Sequence, residues 1–272
     1  MAIDTKTCLA IGSQHIGEIA KIFHEAKIPA LLWGWWAAAL VGEYDPSVEA
    51  VDFVVPDQLL QKATDTLMAA GYSRCTKKDC PYSHLITDIH FDSSPQDLWG
   101  PIRLYPKSSI VWWVPDPPVG NSVENDPHFI MSNDHRLPAA ADQGPCGPWP
   151  DVFPVTVLRP KEFTEALILL MCRDITHANA LDMYWRNMLH MMREVRENPD
   201  AVHVKTLRPI LQRFWDEYNA GSADKQNIWR RLKAIREELI QTRVIELPPP
   251  PPFNGFPSLE DARLNGRSLD TI

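Results

Sequence analysis

The sequence predicts an α+β fold: a mixed sheet with flanking helices, followed by a C-terminal helical bundle. Short apolar strands alternate with amphipathic helices in the first part of the chain. Four segments with apolar residues at helical spacing follow Pro160. We divide the chain into an α/β domain, a connecting or lid segment, a helical domain and a proline-rich tail: 1–113, 114–160, 161–245 and 246–272.

The first part begins with a helix that Ser13 caps and that ends before Pro29. Its apolar residues recur at helical spacing: Ile16, Ile19, Ala20, Ile22 and Phe23. A strand, a short helix and a second strand are predicted next: 30–33, 35–41 and 49–55. A third helix starts at Pro56 and ends at Gly71, because proline suits the first turn and glycine the end of a helix. Two further strands are predicted: 84–91 and 102–105.

Proline, glycine, asparagine and aspartate crowd residues 114–160. A long structureless segment of this kind is uncommon inside a compact domain and is often a lid. Four helices are predicted after it: 163–177, 181–197, 202–219 and 225–241. The five prolines at 248–252 are typical of polyproline II, and we expect 253–272 to be a poorly ordered tail.

Length and composition narrow the class of protein. A chain of 272 residues can bury a substantial core. We expect no membrane span, since no apolar run is long enough and the N-terminus does not have the pattern of a signal peptide. Five cysteines fit reduced thiols in the cytoplasm, and a net charge of −8 argues against a nucleic-acid partner. The oligomeric state is left open.

A lone carboxylate interrupts the apolar second strand. Asp52 shares a strand face with Ala50 and Val54 by the period-2 rule. An ionised carboxylate is costly to bury without a partner. Asp52 therefore lies either at a strand end near solvent or facing a cleft.

The segment around this strand resembles the signature of the minimal nucleotidyltransferase fold. That signature has a hydrophobic residue, two small residues, a spacer and then Asp-hydrophobic-Asp, and here it falls on Trp33, Gly34, Trp35 and residues 50–52. Trp35 occupies the position of the second small residue, and Ala50 that of the first metal-binding carboxylate. The resemblance implies a nucleotidyltransferase-like mixed sheet. With one carboxylate left, half of the ligands for a two-metal mechanism are gone.

Two longer motifs extend a second resemblance over residues 15–220. LYPKSSIVWWVP at 104–115 and EALILLMCRD at 165–174 are similar to segments of predicted proteins of filamentous fungi. The activity of that family is mostly unassigned, so this resemblance implies a relationship without a function.

Half of the ten tryptophans lie in two short clusters, WGWW and VWWV. Indole rings supply apolar area and ring faces, and pockets for apolar ligands are usually lined in this way. The alternative is ordinary core packing, with Trp35 the exception because it replaces a small residue at a mouth. The candidate substrate-binding residues here are Trp33, Gly34, Trp35, Trp36, Trp112 and Trp113.

Two other groups of polar residues are candidates for the site. Arg103, Tyr105 and Lys107 alternate along one strand, so we expect their side chains to converge on phosphates or on a carbonyl or carboxylate. Arg173 and His177 lie four residues apart on one helix face. They either line a cleft and bind substrate or cap the helix C-terminus.

Metal ligation has two weaker candidates. Four residues have the spacing C-x4-C-x3-H-x5-H: Cys75, Cys80, His84 and His90. Structural zinc sites usually show tighter spacing and a knuckle turn, so free thiols and half-exposed histidines are the preferred interpretation. Asp88 or Asp92 would supply a second carboxylate if either faced Asp52, although both fit a solvent-exposed edge. We expect no metal and no cofactor.

Our first functional hypothesis is a metal-independent enzyme on a degenerate nucleotidyltransferase scaffold. It would bind an apolar small molecule in a Trp-lined cleft and promote cyclisation or rearrangement in fungal secondary metabolism. The candidate catalytic residues are Asp52, Arg103, Tyr105 and Lys107. Holding a flexible substrate in one reactive conformation can lower the barrier substantially without acid–base groups.

Two alternatives stay open. A metal-dependent nucleotidyltransferase would combine Asp52 with a carboxylate from Glu49, Asp45 or Asp92, although Glu49 points to the opposite strand face. A non-catalytic protein would bind a small molecule in the same cleft. Fold alone does not choose among these.

Overall fold

The computed structural model describes most of the chain in eleven segments: 5–42, 50–77, 80, 87, 89–92, 100–120, 123–139, 146–175, 181–192, 206–220 and 225–250. Within these residues the protein contains eight α-helices and two small sheets with six strands in total. The predicted α+β class is therefore confirmed.

The helices are α1 Thr5–Glu25, α2 Gly34–Val41, α3 Leu60–Ala69, α4 Lys107–Ile110, α5 Pro160–Asp174, α6 Leu181–Met191, α7 Pro209–Asn219 and α8 Lys225–Thr242. The strands are β1 Leu31–Trp33, β2 Val51–Val55, β3 His90–Phe91, β4 Ile102–Pro106, β5 Phe129–Met131 and β6 Thr156–Leu158. A short 3-10 turn, Asp57–Leu59, leads into α3.

The larger sheet has the strand order β1-β2-β4-β3. β1 runs antiparallel to β2, β2 runs parallel to β4, and β4 runs antiparallel to β3. All five residues of β2 are buried, as expected for a central strand that is covered on both faces. The register places Phe53 opposite Leu104 and Asp52 opposite Arg103.

Helices from both parts of the chain pack around this sheet. The ring of Phe23 on α1 meets Phe53 of β2 edge to face, with 5.4 Å between the ring centroids. The ring centroid of Trp33 on β1 lies 5.0 Å from that of Phe163 on α5. Helix α5 also packs on α6 and α8. The described residues therefore share one apolar core that continues from the sheet into the helices.

Two predicted helix starts are wrong. α1 begins at Thr5, so Ser13 lies inside the helix and does not cap it. α7 begins at Pro209, whereas the prediction started it at 202. Proline fits the first turn of a helix and disfavours helical conformation in the residue before it, and Arg208 is extended with φ −56° and ψ 140°.

The segment 114–160 is not structureless, which corrects the prediction. Strands β5 and β6 pair there as an antiparallel ladder, and β6 packs beside β1. Each strand has three residues, which is too short for an alternating pattern to show in the sequence. Their residues are nevertheless buried: Phe129, Ile130, Met131, Thr156, Val157 and Leu158.

Other predicted boundaries are shifted or lie outside the described residues. Of the predicted strand at 84–91, the described part forms only β3. The second strand begins at Val51, and the helix predicted to reach His177 ends at Asp174. The tail beyond Pro250 lies outside the described residues. Among the helices that the structure describes, none combines the length and apolar character needed to cross a membrane.

Glu162, in the first turn of α5, is a buried carboxyl group that the sequence does not single out. Its Oε2 atom has no hydrogen-bond partner among the described residues, and Nδ1 of His128 lies 3.9 Å from Oε1. Burial raises the pKa of Glu162 to about 7, and Glu165 adds to the rise, while Lys161 and Arg159 oppose it. The desolvation of the anion outweighs the favourable position at a helix N-terminus.

We predict that Glu162→Gln changes the pH dependence of stability. Because the folded-state pKa lies above the ordinary value of 4.5, the free energy of unfolding of the native protein falls as pH rises from 4.5 to about 7. The neutral amide removes this loss, so the variant is more stable than the native chain by about 3 kcal/mol above pH 7 and equal to it below pH 4.5. Urea denaturation across this range measures the difference, and a constant difference at all pH values would contradict the prediction.

Candidate functional site

The lone carboxylate of β2 lies inside the sheet and is paired with an arginine. Asp52 is 1% exposed and Arg103, its register neighbour on β4, is 6% exposed. The arginine donates from Nε to Oδ1 at 2.5 Å and from Nη2 to Oδ2 at 2.7 Å. This bidentate geometry is the strongest form of a carboxylate–guanidinium contact. Asp52 thus has the partner that its burial requires.

Gly34 brings the start of α2 against the same carboxylate. Its φ of +69° lies in the left-handed region, and a Cβ atom at this position would overlap Oδ2 of Asp52. The helix N-terminus carries a partial positive charge. Asp52 therefore lies between a guanidinium and the positive end of a helix.

Two phenols complete the polar part of the site. Burial raises the pKa of Tyr105 well above its ordinary value, Arg103 opposes that rise, and the negative charge of Asp52 adds to it. Burial likewise raises the pKa of Tyr184, with a further contribution from Asp52. The nearby Arg103 cation opposes this rise, and the Tyr184 ring meets the Trp35 ring edge to face. Both hydroxyls therefore stay protonated and remain hydrogen-bond donors.

Arg103 stays charged in this buried environment. Its Cζ atom lies 6.0 Å from the centroid of the Tyr105 ring. Burial alone disfavours the guanidinium cation, but the Asp52 carboxylate outweighs that effect, and the pKa of Arg103 is well above its ordinary value. The guanidinium thus keeps its positive charge within the sheet.

A chain of aromatic rings leads from the core to the surface at this site. Trp33 contacts Phe163 and Trp185, with centroid separations of 5.0 Å and 6.2 Å. Trp185 meets Tyr184 at 5.0 Å, and Tyr184 meets Trp35 at 5.8 Å with perpendicular rings. Trp33 and Trp185 are fully buried, whereas Tyr184 and Trp35 are half-buried. Trp35 is the outer end of this chain.

The structure places the other predicted indoles in different surroundings. Trp36 is 1% exposed and packs against Gly12 of α1. Its ring centroid lies 6.1 Å from that of Trp149. Trp112 and Trp113 contact each other at 4.8 Å, and the Trp112 ring nitrogen donates to the backbone oxygen of Glu246. The contacts of these residues therefore hold the helices and the segment after α8 in place.

Lys107 does not share a strand face with Arg103 and Tyr105, which corrects the prediction. β4 ends at Pro106 and Lys107 opens α4, so the alternation stops before it. Its Nζ atom lies 3.2 Å from Oδ1 of Asp116.

Arg173 is fully buried, and His177 lies outside the described residues. Arg173 donates from Nε and Nη2 to Asp174 at 2.7 and 2.9 Å, and from Nη1 to the backbone oxygen of Ser109. Asp174 also accepts from the Trp185 ring nitrogen at 2.8 Å. This network joins α5 to α6 and to α4.

The sequence contained a signal for the Asp52–Arg103 pair that our interpretation missed. β2 reads VDFVV and β4 reads IRLYP, so each carries a single charged residue at its second position. Parallel pairing in register makes the two charges neighbours. Tyr184 had no such signal, because a tyrosine on an amphipathic helix is equally typical of core packing.

The site offers one guanidinium and two neutral phenols beside apolar indole rings. These groups can donate hydrogen bonds to oxygen atoms of a ligand, and the Asp52 carboxylate already has a cationic partner. Comparisons of the chain with protein-family models, with curated proteins and with solved structures found no match. The interpretation of the site rests on its geometry and chemistry.

We predict that Asp52→Asn destabilises the protein by about 3–5 kcal/mol, because it leaves the Arg103 charge buried without a partner. Glu217→Gln is a matched control: Glu217 pairs with Arg231 at 2.9 Å, but both side chains are partly exposed, so its cost should stay below about 1 kcal/mol. Urea denaturation measures both. The double variant Asp52→Leu/Arg103→Met should recover most of the loss, and equal costs for the two single variants would contradict the prediction.

Two glycines with a positive φ differ in whether an added Cβ atom would overlap another side chain, so their alanine variants separate backbone strain from the overlap at Gly34. Gly71 also has a positive φ, +98°, but a Cβ there meets nothing within 4 Å. Gly71→Ala should therefore cost only the left-handed conformation, about 1–2 kcal/mol. Gly34→Ala adds the overlap with Asp52 and should cost at least about 3 kcal/mol. Thermal or urea unfolding of the two variants gives the comparison, and the same cost for both would refute a close contact between Gly34 and Asp52.

Proposed function

We propose that the protein is a metal-independent enzyme on a degenerate nucleotidyltransferase-like scaffold that binds an apolar small molecule and promotes its cyclisation or rearrangement. The observation that carries the proposal is the bidentate Asp52–Arg103 pair beneath the half-buried rings of Trp35 and Tyr184. A buried cation stands beside Asp52, where the resembled family has metal ligands.

The arrangement of the sheet supports the scaffold. β1 is antiparallel to β2, α2 starts at the glycine between them, and β4 lies parallel to β2. This order brings Gly34 against Asp52, as the glycine turn and the acidic strand of the resembled signature require.

The pairing of Asp52 supports a mechanism without a metal ion. Both carboxylate oxygens accept hydrogen bonds from Arg103, so a divalent cation would have to displace a buried guanidinium. Position 50 is alanine, and Asp92 follows β3, a strand that β4 separates from β2. The other carboxylates considered as metal ligands, Asp45, Glu49 and Asp88, lie outside the described residues.

The aromatic chain supports an apolar ligand that carries at least one oxygen atom. Trp35 and Tyr184 present perpendicular rings at the half-buried end, against which an apolar group can pack. Behind them, the Trp33 ring nitrogen has no hydrogen-bond acceptor among the described residues. A ligand oxygen that reached this position would accept its hydrogen bond.

The proposed chemistry uses positioning and hydrogen-bond donors. The Tyr184 and Arg103 donors would polarise a carbonyl oxygen, and the rings would hold the flexible part of the ligand near its reactive geometry. Positioning of this kind can lower a barrier by several kcal/mol, and preorganised donors add to it. A cyclisation or rearrangement redistributes bonds within one molecule, so it needs no co-reactant. Such a step fits fungal secondary metabolism.

We predict that Trp35→Ala weakens the binding of an apolar ligand. We use the fluorescent probe 8-anilinonaphthalene-1-sulfonate, whose emission increases in apolar surroundings. The native protein should bind it saturably, and Trp35→Ala should weaken binding at least tenfold. The control is Trp229→Ala, which removes a half-buried indole from α8 and should leave binding unchanged. Equal affinities for the two variants would contradict the placement of the ligand.

Titration with ATP or CTP in the presence of magnesium or manganese tests the rival function. Saturable, metal-dependent nucleotide binding would overturn the proposal in favour of a nucleotidyltransferase. Catalysis itself is tested by incubating the protein with apolar metabolite extracts in EDTA. The expected result is a product with the mass of its substrate but a different chromatographic retention; binding without such conversion would support a non-catalytic binding protein.

A further inference from the structure

Three metal-ligating side chains meet at the edge of the larger sheet, on β3 and the segment that pairs with it. The Sγ atoms of Cys75 and Cys80 and a ring nitrogen of His90 all lie within 4.8 Å of one another. Nε2 of His90 is 3.1 Å from Sγ of Cys80. All three side chains are buried, at 7%, 5% and 2% exposure. We refer to these three residues as the Cys–His cluster.

A short antiparallel ribbon brings two members of the cluster together. Arg74 and Phe91 form a bridge, the Cys75 nitrogen donates to the His90 oxygen at 3.0 Å, and the Asp92 nitrogen donates to Ser73 at 3.0 Å. Cys75 is thus directly opposite His90, and alternation puts Asp92 on the same face. Phe91 points the other way, into the core. The ribbon therefore gathers the polar ligands on one side.

Cys80 supplies the third member of the cluster. Its backbone nitrogen donates to the Lys77 oxygen at 3.4 Å. Its sulfur lies 3.1 Å from Nε2 of His90 and within 4.8 Å of the Cys75 sulfur. This proximity is the feature that the spacing alone did not reveal.

The donor types and separations match a tetrahedral zinc ion. Two thiolates and an imidazole are soft or borderline donors that zinc prefers over calcium or magnesium. Ligand bond lengths of about 2.0–2.3 Å place tetrahedral donor atoms about 3.5–3.8 Å apart. The separations within the cluster, from 3.1 Å to at most 4.8 Å, bracket that range. Small side-chain rotations suffice to close the site.

We propose that Cys75, Cys80 and His90 bind a structural zinc ion, with the fourth tetrahedral position taken by another ligand. Asp92 is exposed on the same face of the ribbon, but its carboxylate is not among the ligand atoms that lie within 4.8 Å of one another. His84, the remaining residue of the predicted spacing, lies outside the described residues. This proposal departs from the free-thiol interpretation of the sequence, and it does not depend on the enzymatic function proposed above.

The position of the Cys–His cluster at the edge of the sheet indicates a role for the zinc ion in stabilising that edge. β3 has two residues, and it pairs with β4 through His90 opposite Arg103. So short a strand has little pairing energy of its own. A zinc ion would tie it to the ribbon and to the turn before it, and would hold the edge of the sheet beside Arg103. Metal binding of this kind contributes directly to folding stability.

The test measures zinc in the full-length protein purified from zinc-supplemented cells under reducing conditions. Elemental analysis should find about one zinc per chain. Cys80→Ser should reduce this at least tenfold, whereas Cys146→Ser, which removes a cysteine outside the cluster, should not. Removal of zinc by a chelator should lower the melting temperature of the native chain and of Cys146→Ser, with no effect on Cys80→Ser.

Cobalt replacement keeps the proposal testable if Cys80→Ser fails to fold. The chelated native protein is titrated with Co²⁺ and followed by absorption spectroscopy. One equivalent should produce the thiolate charge-transfer band and the visible bands of tetrahedral cobalt, and zinc should bleach them. Absence of zinc together with absence of these bands would overturn the proposal. A Cys75–Cys80 disulfide in the reduced preparation, found by peptide mass analysis, would also overturn it.

Discussion

The ion pair between Asp52 and Arg103 ties together the two central strands of the sheet, β2 and β4. Its partners stand opposite each other in a parallel register, and a slip by one residue would leave two charges buried without partners. Gly34 packs directly on the carboxylate, so the start of α2 depends on the same pair. Register, helix position and the polarity of the candidate site thus follow from one buried contact.

Buried charged side chains in the helical part of the chain also have partners of opposite charge. Arg173 pairs with Asp174, and Glu165 accepts two hydrogen bonds from Arg208. Arg173 and Asp174 are neighbours on α5, whereas the Glu165–Arg208 pair joins α5 to the residue before α7. A buried charge without a partner is costly, and each of these charges has one. Glu162 differs, because burial without such a partner raises its pKa. The edge of the sheet has its own polar group, the Cys–His cluster, which lies next to Arg103 in register through His90.

Some aromatic side chains are buried in the core and others are partly exposed, and the amino-acid composition does not indicate which. Trp33, Trp36 and Trp185 are sealed in the core, while Trp35 and Tyr184 remain half-buried above the ion pair. Indole and phenol rings suit both environments, since each has a large apolar body and one polar atom. Only the position relative to α6 and β1 distinguishes a ring that is fully buried from one that stays partly exposed.

The sequence by itself determined the α+β class, the buried β2, the glycine turn before α2 and the last helix, because these depend on local periodicity and turn chemistry. It also identified Asp52 and Arg103, though not that they pair. Tertiary structure decided that pairing, the short β5–β6 ladder and the meeting of Cys75, Cys80 and His90. Each of these depends on strand register or on contacts between distant segments, and a short strand leaves too few residues for a pattern to encode its partner.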